Sequence, residues 1–326
     1  MDRPGALSGL RATLARYART HLGDARRWCV ALSGGPDSLA LTAAAAPVLP
    51  TAALIVDHGL QASSTRVAEA AREQAMHLGC VEAQVITVSV GGVGGPEAAA
   101  RTARYAALEE ARAGAPVLIG HTLDDQAETV LLGLGRGSGP RSISGMRPYD
   151  PPWCRPLLGV RRAVTAAVCT ELGLTAWRDP HNHDRRFTRS RLRNEVLPLL
   201  EDVLGGGVAE ALARTATALR EDAEVLDADA ERALQHASAG PGGRRAAELD
   251  AGVLAALPAA LRRRAIRSWL AAGGAAGLTD KQIRAVDALT SDWHGQGGVA
   301  VGGRLAHTRL IAERRDGRLR LRTEPV

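Results

Sequence analysis

Four continuous apolar runs, separated by stretches with helical patterning, constrain the fold of this chain more than any other feature. They read WCVAL (28–32), TAALIVD (51–57), EAQVITVSV (82–90) and PVLIG (116–120). Apolar residues without alternation are typical of strands that are buried on both faces, as in a parallel sheet covered by helices. Strands that alternate with helices predict a doubly wound, mostly parallel sheet, hence the α/β fold class.

The character of the sequence changes after residue 204. Three glycines at 205–207 predict a hinge. A long Ala-rich helix, two shorter helical stretches and a Gly-punctuated, Arg-rich tail that suits a β-hairpin follow it. We therefore predict an α/β domain over 1–204 and a smaller, mostly helical domain over 205–326.

The charge balance favours an anionic partner. The chain of 326 residues carries a formal net charge of +6, and Lys281 is the only lysine among its 41 basic residues. Arginine offers a planar fork that suits phosphate groups and base edges, so nucleic acid is the leading candidate. A codon bias that replaces lysine by arginine throughout explains most of the preference for arginine, but not the positive balance itself.

Cysteine usage and hydropathy point to a reducing compartment. No two of the four cysteines form a C-x-x-C pair, and no cluster has zinc spacing. The N-terminus lacks the apolar stretch of a secretion signal, and no apolar run approaches transmembrane length. We expect a cytoplasmic protein with no membrane contact. The sequence leaves a monomer and a homodimer both open.

The loop SGGPDS at 33–38 follows the first apolar run and precedes a helix. Gly34 and Gly35 allow close backbone approach, and the first turn of the next helix offers N–H groups to an anion. Asp37 would repel a phosphate unless a cation lay between them, which suggests Mg²⁺. The structural alternative is a plain turn in which Asp37 and Ser38 cap the helix.

A second segment, GHTLDDQAETVLLGLGRGSG (120–139), follows the fourth run. If it is helical from residue 122, spacings of three and four place one imidazole and three carboxylates on one face, and these belong to His121, Asp124, Asp125 and Glu128. A bound cation or metal ion would stabilise such a concentration of negative charge. A capping box between Thr122 and Asp125 accounts for part of the pattern, but not for the histidine or the glutamate.

A third segment, WRDPHNHDRRFTRSRLRNEVLPLL (177–200), carries six arginines. Charge runs are usually solvated faces. The position of this one at the end of the catalytic domain favours contact with RNA or with a charged intermediate.

These segments resemble a known family. SGGPDS is similar to the loop of PP-loop ATP pyrophosphatases, which bind ATP by its pyrophosphate and transfer AMP to a substrate oxygen. With VDHGL (56–60), ARTARYAAL (100–108), RPLLGVRR (155–162) and the second and third segments in this order, residues 28 to 200 resemble the tRNA(Ile)-lysidine synthetase family. The resemblance implies a PP-loop domain, ATP and Mg²⁺ as cofactors, and a helical C-terminal tRNA-binding domain.

The reaction that the resemblance implies joins free L-lysine to carbon 2 of the wobble cytidine of tRNA(Ile) with the anticodon CAU, through an adenylated cytidine. The residues implied in catalysis are Asp37, His121, Asp125, Glu128, Arg189, Arg191 and Arg193. Those implied in ATP binding are Ser33, Gly34, Gly35, Pro36, Asp37, Ser38 and Asp57. Those implied in binding Mg²⁺ are Asp37, Asp124 and Asp125. Those implied in tRNA binding are Arg136, Arg141, Arg178, Arg185 and Arg186.

Two other functions fit parts of the sequence. A PP-loop tRNA thiolase adenylates a similar carbonyl, but such enzymes use cysteine nucleophiles or C-x-x-C clusters, and none is visible. A non-catalytic tRNA-binding protein with this fold would have no reason to keep Asp37 together with the acidic segment.

Overall fold

The computed structural model describes residues 5–59, 64–89, 96–137, 139–238, 248–303 and 308–325. Contacts within the chain divide it into two compact units. The first comprises residues 1–135 and 145–216, and the second comprises residues 136–144 and 217–326. The domain boundary between residues 204 and 205 that the sequence suggests stays a prediction.

A six-stranded sheet forms the centre of the first unit, in the order β3-β2-β1-β4-β6-β5. Its strands are β1 (Trp28–Ala31), β2 (Thr51–Asp57), β3 (Glu82–Thr87), β4 (Val117–Ile119), β5 (Tyr149–Asp150) and β6 (Trp153–Cys154). All neighbouring strands run parallel except β5 and β6, which pair antiparallel. The predicted doubly wound, mostly parallel sheet is confirmed. The strand expected over 82–90 ends at Thr87, and residue 90 lies outside the described part of the chain.

Helices surround the sheet and continue through the chain. They are α1 (Ala6–His21), α2 (Pro36–Ala45), α3 (Ser64–His77), α4 (Pro96–Ala111), α5 (Leu123–Gly135), α6 (Pro140–Ile143), α7 (Arg162–Glu171), α8 (Thr188–Arg191), α9 (Leu197–Val203), α10 (Val208–Ala237), α11 (Ala251–Ala255), α12 (Ala259–Ala272) and α13 (Asp280–Ser291). A 3-10 turn lies at Pro180–His183, and a π-helical turn at Leu192–Val196 joins α8 to α9.

The apolar runs of β1, β2 and β4 form the core of the first unit because their side chains are buried on both faces of the sheet, while β3 is only partly buried. Trp28 and Leu118 are fully buried, and α2 buries eight of its ten residues between the sheet and its neighbours. The indole Nε1 of Trp28 donates to Oγ1 of Thr51 over 2.6 Å, so the one polar atom of this ring is satisfied inside the core.

The order of the strands predicts where a ligand binds. The chain runs from β1 through β2 to β3 on one side, and β4 then pairs with the other side of β1. Ligands of such sheets bind beyond the carboxyl ends of the strands at this switch point. SGGPDS follows β1 there, and Gly120 follows β4. A Cβ atom on Gly120 would lie 3.1 Å from the backbone of Asp37, so only glycine lets the two segments approach this closely.

The second unit has an antiparallel sheet of four strands in the order β7-β10-β9-β8. These are β7 (Leu249–Asp250), β8 (Val299–Val301), β9 (Thr308–Arg315) and β10 (Arg318–Pro325). The predicted hairpin in the tail is confirmed as β9 and β10, which turn at Asp316 and Gly317, both with positive φ. The sheet is larger than the hairpin because β7 and β8 add to it, and runs of two or three residues carry no strand periodicity in the sequence.

The core of the second unit includes a buried ion pair. Asp287 is 3% exposed and accepts hydrogen bonds from Nε of Arg262 at 2.5 Å and from Nε of Arg263 at 2.8 Å. Around it pack apolar side chains of α12 and α13, among them Ile266 and Val286. In the residues that the structure describes, no helix is both long enough and apolar enough to cross a bilayer.

Candidate active site

The SGGPDS loop is held in an open turn by its serines and by the backbone. Gly34 has a φ of +78°, a conformation that favours glycine, and its carbonyl oxygen accepts the backbone N–H of Trp177 at 2.9 Å. Ser38 Oγ accepts the backbone N–H of Ser33 at 3.2 Å and donates to the carbonyl of Gly35 at 2.9 Å. Pro36 is the first residue of α2, where its missing N–H costs nothing. The unpaired N–H groups of the first turn of α2 are therefore presented at the switch point, as an anion site requires.

Asp37 lies between this loop and α7. Its Oδ1 is hydrogen-bonded to the hydroxyl of Thr165, and its Oδ2 lies 3.6 Å from Nε of Arg162. Burial raises the pKa of the Asp37 carboxyl, and the nearby charge of Asp125 raises it further, against the lowering effect of Thr165 and Arg162. A carboxylate with a raised pKa gains from a cation placed next to it.

Asp125 is saturated with hydrogen bonds. Its Oδ2 accepts the backbone N–H and the hydroxyl of Thr122, each at 2.8 Å. Its Oδ1 accepts Nη2 of Arg162 and Nη2 of Arg193, each at 2.9 Å. Burial acts to raise the pKa of Asp125, but the charge of Arg162 and the Thr122 N–H outweigh it and hold the pKa below its usual value. Oδ2 of Asp125 thus makes the predicted capping contact with Thr122, and Oδ1 binds the two arginines of the site.

Glu128 lies one helical turn further along α5, and its side chain is fully buried. Oε1 accepts Nε of Arg193 at 2.8 Å and Nη2 of Arg162 at 3.2 Å. Oε2 accepts Nη2 of Arg193 at 3.3 Å. We call Asp125 and Glu128 the acid pair. Two arginines from different segments of the chain neutralise it, as two buried carboxylates require.

Asp124, the third acid of the predicted face, points elsewhere. Its Oδ2 accepts the backbone N–H of Arg162, the first residue of α7, at 2.7 Å, and its Oδ1 lies 3.7 Å from Nη1 of Arg161. A carboxylate here stabilises the start of α7 and fixes the backbone of Arg162. The structure therefore brings Asp124 to α7 rather than to Asp37.

His121 lines a cavity of about 390 Å³ at the switch point. The cavity also reaches Ser33 of the loop, Asp57 at the end of β2 and Arg104 of α4. Burial lowers the pKa of His121 to about 3, because the opposing effect of Asp125 is too small to restore it. The buried Nδ1 of the ring has no hydrogen-bond partner among the described residues. A neutral imidazole with an unused nitrogen is thus available to a ligand.

Asp57 organises the entrance of α3. Its Oδ1 accepts the backbone N–H of Gly59, and its Oδ2 accepts the hydroxyl of Thr65, each at 2.9 Å. Burial acts to raise the pKa of Asp57, but these hydrogen bonds and one from Ser64 outweigh it and lower the pKa. Asp57 lies in the wall of the cavity, and its two oxygens are held by Gly59 and by Thr65 of α3.

The three arginines predicted to act in catalysis have different surroundings. Arg193 binds the acid pair. Arg189 donates from Nη2 to Oγ1 of Thr129 at 2.9 Å, and its Nε lies 3.8 Å from Glu128. Arg191 is exposed and pairs with Glu195 at 3.3 Å. The structure therefore brings Arg189 and Arg193 to the acid pair and does not bring Arg191 there.

The arginines predicted to bind tRNA are all exposed or half-exposed. Arg185 forms a bidentate pair with Glu195, and Arg186 pairs with Asp184. Arg141, in the second unit, pairs with Asp227 at 2.8 Å. The two remaining members of this set, Arg136 and Arg178, are exposed. Surface pairs of this kind are weak, so their guanidinium groups remain available to phosphate.

Three residues of the site are not among those predicted from the sequence, namely Arg104, Arg162 and Thr165. Arg162 touches Asp37 and the acid pair together, and Thr165, fully buried one turn later, touches Asp37. Arg104 lines the cavity, is paired with no carboxylate in the described part of the chain, and has its pKa lowered by burial. Arg162 lies in RPLLGVRR and Arg104 lies in ARTARYAAL. Both segments belong to the family resemblance, and this is the signal that could have identified the two arginines.

The side chains of the site that could ligate a metal ion fit one that arrives with a nucleotide, not one held by the protein alone. Within the described ranges, no group of three acidic, histidine or cysteine side chains is placed to hold a metal ion. The two oxygens of Asp125 are used by Thr122 and by the two arginines. Mg²⁺ commonly takes one or two carboxylates and completes its shell with substrate phosphates and water. Asp37, beside the anion-binding loop, has the position for such a ligand.

Comparisons with known proteins agree with this geometry. Residues 10–200 match the family model of a PP-loop domain, and residues 249–320 match that of a TilS substrate binding domain. A solved structure, the U34-tRNA thiolase NcsA from Methanococcus maripaludis, superposes with a TM-score of 0.54 at 18% identity and covers 66% of this chain and 80% of its own. At that identity the likeness concerns the fold alone.

Curated relatives match the chain over its whole length. The tRNA(Ile)-lysidine synthase of Mycolicibacterium paratuberculosis is 70% identical over 326 residues, and that of Mycobacterium tuberculosis is 69% identical over 326 residues. In both comparisons 100% of each chain is covered. With a PP-loop domain over more than half of the chain and full-length relatives at this identity, the chain belongs to the tRNA(Ile)-lysidine synthase family.

Proposed function

We propose that this protein is a ligase that joins free L-lysine to carbon 2 of the wobble cytidine in tRNA(Ile) with the anticodon CAU. In the first step the cytidine O2 attacks the α-phosphorus of ATP, and pyrophosphate leaves. In the second step the ε-amine of lysine attacks carbon 2, AMP leaves, and the amine loses a proton. The product, lysidine, reads AUA instead of AUG.

The ATP side of the reaction is assigned to the SGGPDS loop and the cavity beside it. The N–H groups at the start of α2 and the hydroxyls of Ser33 and Ser38 would bind the phosphates. Asp37 would hold Mg²⁺, which neutralises phosphate charge when bound. Arg104 supports this assignment, because a guanidinium in a cavity without a carboxylate partner is suited to an anionic ligand.

The lysine side is assigned to the acid pair. An ammonium group requires carboxylates in a partly dehydrated site, and Asp125 and Glu128 provide two of them next to the loop. His121, neutral at physiological pH, would serve as a hydrogen-bond partner inside the cavity rather than as a charged group. The low pKa values of His121 and Asp125 make both of them weak bases, so we assign them to binding and orientation.

The tRNA side is assigned to the second domain and to the exposed arginines. We propose that residues 1–204 carry the chemistry and that 205–326 bind tRNA, which the match of 249–320 to a substrate binding domain supports. An anticodon base must leave its stack to enter the cavity. The reaction is expected in the cytoplasm, where tRNA is modified. The proposal holds for a monomer and for a homodimer.

One observation supports this proposal beyond the fold. A single guanidinium group, that of Arg162, contacts both the acid pair and Asp37. Arg162 contacts Asp125 at 2.9 Å and lies 3.6 Å from Asp37, so a site for a cation and a site for phosphate are adjacent. A thiolase is less well supported, because all four cysteines are buried and none of them lines the cavity. A non-catalytic tRNA binder would not need the two sites side by side.

Incubation of the purified protein with ATP, labelled lysine and an isoleucine tRNA transcript bearing CAU tests the proposal. Label should enter the tRNA, with one AMP formed for each lysine joined. A transcript with uridine in place of the wobble cytidine is the matched control and should take up no label. Absence of label from the CAU transcript, under conditions where the protein binds it, would refute the proposed function.

A further inference from the structure

The acid pair cannot satisfy the three donors of a lysine ammonium in the arrangement that the structure shows. Oδ1 of Asp125 already accepts two guanidinium groups, and the two oxygens of Glu128 accept three hydrogen bonds from the same arginines. The other oxygen of Asp125 is used by Thr122. Only one acceptor position remains, on Oε2 of Glu128, and Nε of Arg189 lies 3.8 Å from that oxygen. An ammonium group, which has three donors, could therefore be satisfied here only if one guanidinium donor left.

Charge leads to the same conclusion. The acid pair and Asp37 carry three negative charges. Arg162, Arg193 and Arg189, the last at 3.8 Å from Glu128, supply three positive ones. Bringing a further cation into this cluster of buried carboxylates would leave it with a surplus charge, which a site of low polarity disfavours. Replacing one guanidinium by the ammonium keeps the balance unchanged.

The two arginines differ in how firmly they are held. Arg162 is the first residue of α7, its backbone N–H is fixed by Asp124, and its guanidinium touches Asp37 as well as the acid pair. Arg193 lies on the π-helical turn at Leu192–Val196 and has, beyond the acid pair, one long hydrogen bond of 3.4 Å to Asn182. π-Turns are strained insertions that are frequent at functional sites. Arg193 is thus the donor that can leave.

We propose that Arg193 occupies the ammonium site of the lysine-free protein, and that lysine binds by displacing this guanidinium from Asp125 and Glu128. The inference rests on the proposed function, because it takes the acid pair as the lysine site. No bond is made or broken in this exchange. Its consequence is that Arg193 competes with lysine and becomes free to pair with another anion once lysine is bound.

Calorimetric titration of lysine into the Arg193→Met variant tests the exchange. Removal of the competing guanidinium should tighten lysine binding by about tenfold, the size of one charge-assisted hydrogen bond. Millimolar guanidinium chloride should weaken lysine binding to Arg193→Met again, whereas sodium chloride at equal ionic strength should have less effect. Arg72→Met removes an exposed arginine of α3 that pairs with Glu69, and should leave the affinity for lysine unchanged.

A result in which Arg193→Met binds lysine no more tightly than the wild type, including no detectable binding by either protein, overturns the exchange. A measurement on the unaltered protein guards against a variant that does not fold. Saturating lysine should accelerate hydrogen exchange of the backbone amides in Leu192–Val196, since their anchoring arginine is released, and unchanged or slower exchange contradicts the proposal.

Failure of the proposed function and failure of the exchange give different results. If the wild-type protein joins no lysine to the CAU transcript, the proposed function fails. If it does so and Arg193→Met binds lysine less tightly, Arg193 is part of the lysine site, and the exchange alone fails.

Discussion

The guanidinium Nη2 of Arg162 donates to Oδ1 of Asp125 over 2.9 Å, and this contact joins two segments separated by 37 positions in the chain. The same side chain reaches the loop aspartate through its Nε. One arginine therefore sets the distance between the proposed phosphate side and the proposed lysine side of the site.

Substitution Arg162→Met should affect stability and catalysis together. The acid pair would lose one of its two cations, and breaking a buried ion pair costs about 3 kcal/mol in the free energy of unfolding. Misplacement of Asp37 and of the acid pair should slow lysidine formation by about 10²-fold. Denaturant unfolding and single-turnover assays measure the two effects. In Arg162→Lys the charge remains, so stability should recover more than activity; equal recovery of both would speak against a geometric role.

Substitution Gly120→Ala probes the contact between β4 and the loop. Its new Cβ would lie 3.1 Å from the backbone of Asp37, which has to move by a few tenths of an ångström. We expect a stability loss of about 1–2 kcal/mol and a slower release of pyrophosphate. Gly9→Ala in α1 is the control, because its Cβ meets nothing within 4 Å, and it should stabilise the protein by about 0.5–1 kcal/mol. Unchanged pyrophosphate release in Gly120→Ala would mean that the close approach has no role in the loop's geometry.

His121 should make the protein less stable as the pH falls. Its pKa is lowered by burial to about 3 in the folded state, so below the ordinary value near 6.5 the unfolded state binds the extra proton. Above pH 6.5 the protonation of His121 takes nothing from the free energy of unfolding. Between that pH and the folded-state pKa, the free energy of unfolding falls with a slope of at most about 1.4 kcal/mol per pH unit. Asparagine at position 121 should flatten the loss of stability between pH 6.5 and 5. Parallel curves for the two proteins would show that this imidazole is not buried neutral.

Asp287→Asn should destabilise the second unit, because Arg262, which is 8% exposed, would keep its charge without a carboxylate. We expect a loss of about 3 kcal/mol in the free energy of unfolding. The double variant Asp287→Asn with Arg262→Met should regain part of that loss, since no charge then stays buried and unpaired. A double variant that is less stable than the single one by the full cost of a second substitution would contradict the pairing.

The sequence predicts most of the sheet and part of the site, for a physical reason. Strands β1, β2 and β4 are buried on both faces, and continuous apolar runs record this burial directly, whereas β3 is only partly buried. The loop at 33–38 and Glu128 of α5 also follow from local pattern. Strands β5 and β6 are two residues long, so they leave no periodic signal.

The rest of the site depends on contacts distant in sequence. Arg162 acts on Asp125 because the start of α7 meets the start of α5, and no spacing within either helix reveals this. A helical period would place Arg186, Arg189 and Arg193 on one face. The structure brings Arg189 and Arg193 to Glu128, but Arg186 pairs with Asp184 instead. The π-helical turn changes the period of that segment, so a 3.6-residue pattern cannot describe it.

The central claim is that the loop serves the ATP step and the acid pair serves the lysine step. Pyrophosphate release and lysine incorporation, measured side by side in Asp37→Asn and Glu128→Gln with the CAU transcript, test it most directly. We predict that Asp37→Asn, while still binding tRNA, loses both activities, and that Glu128→Gln still releases pyrophosphate but incorporates lysine at least about 10²-fold more slowly. Normal pyrophosphate release by Asp37→Asn, or normal lysine incorporation by Glu128→Gln, would contradict the division of the site.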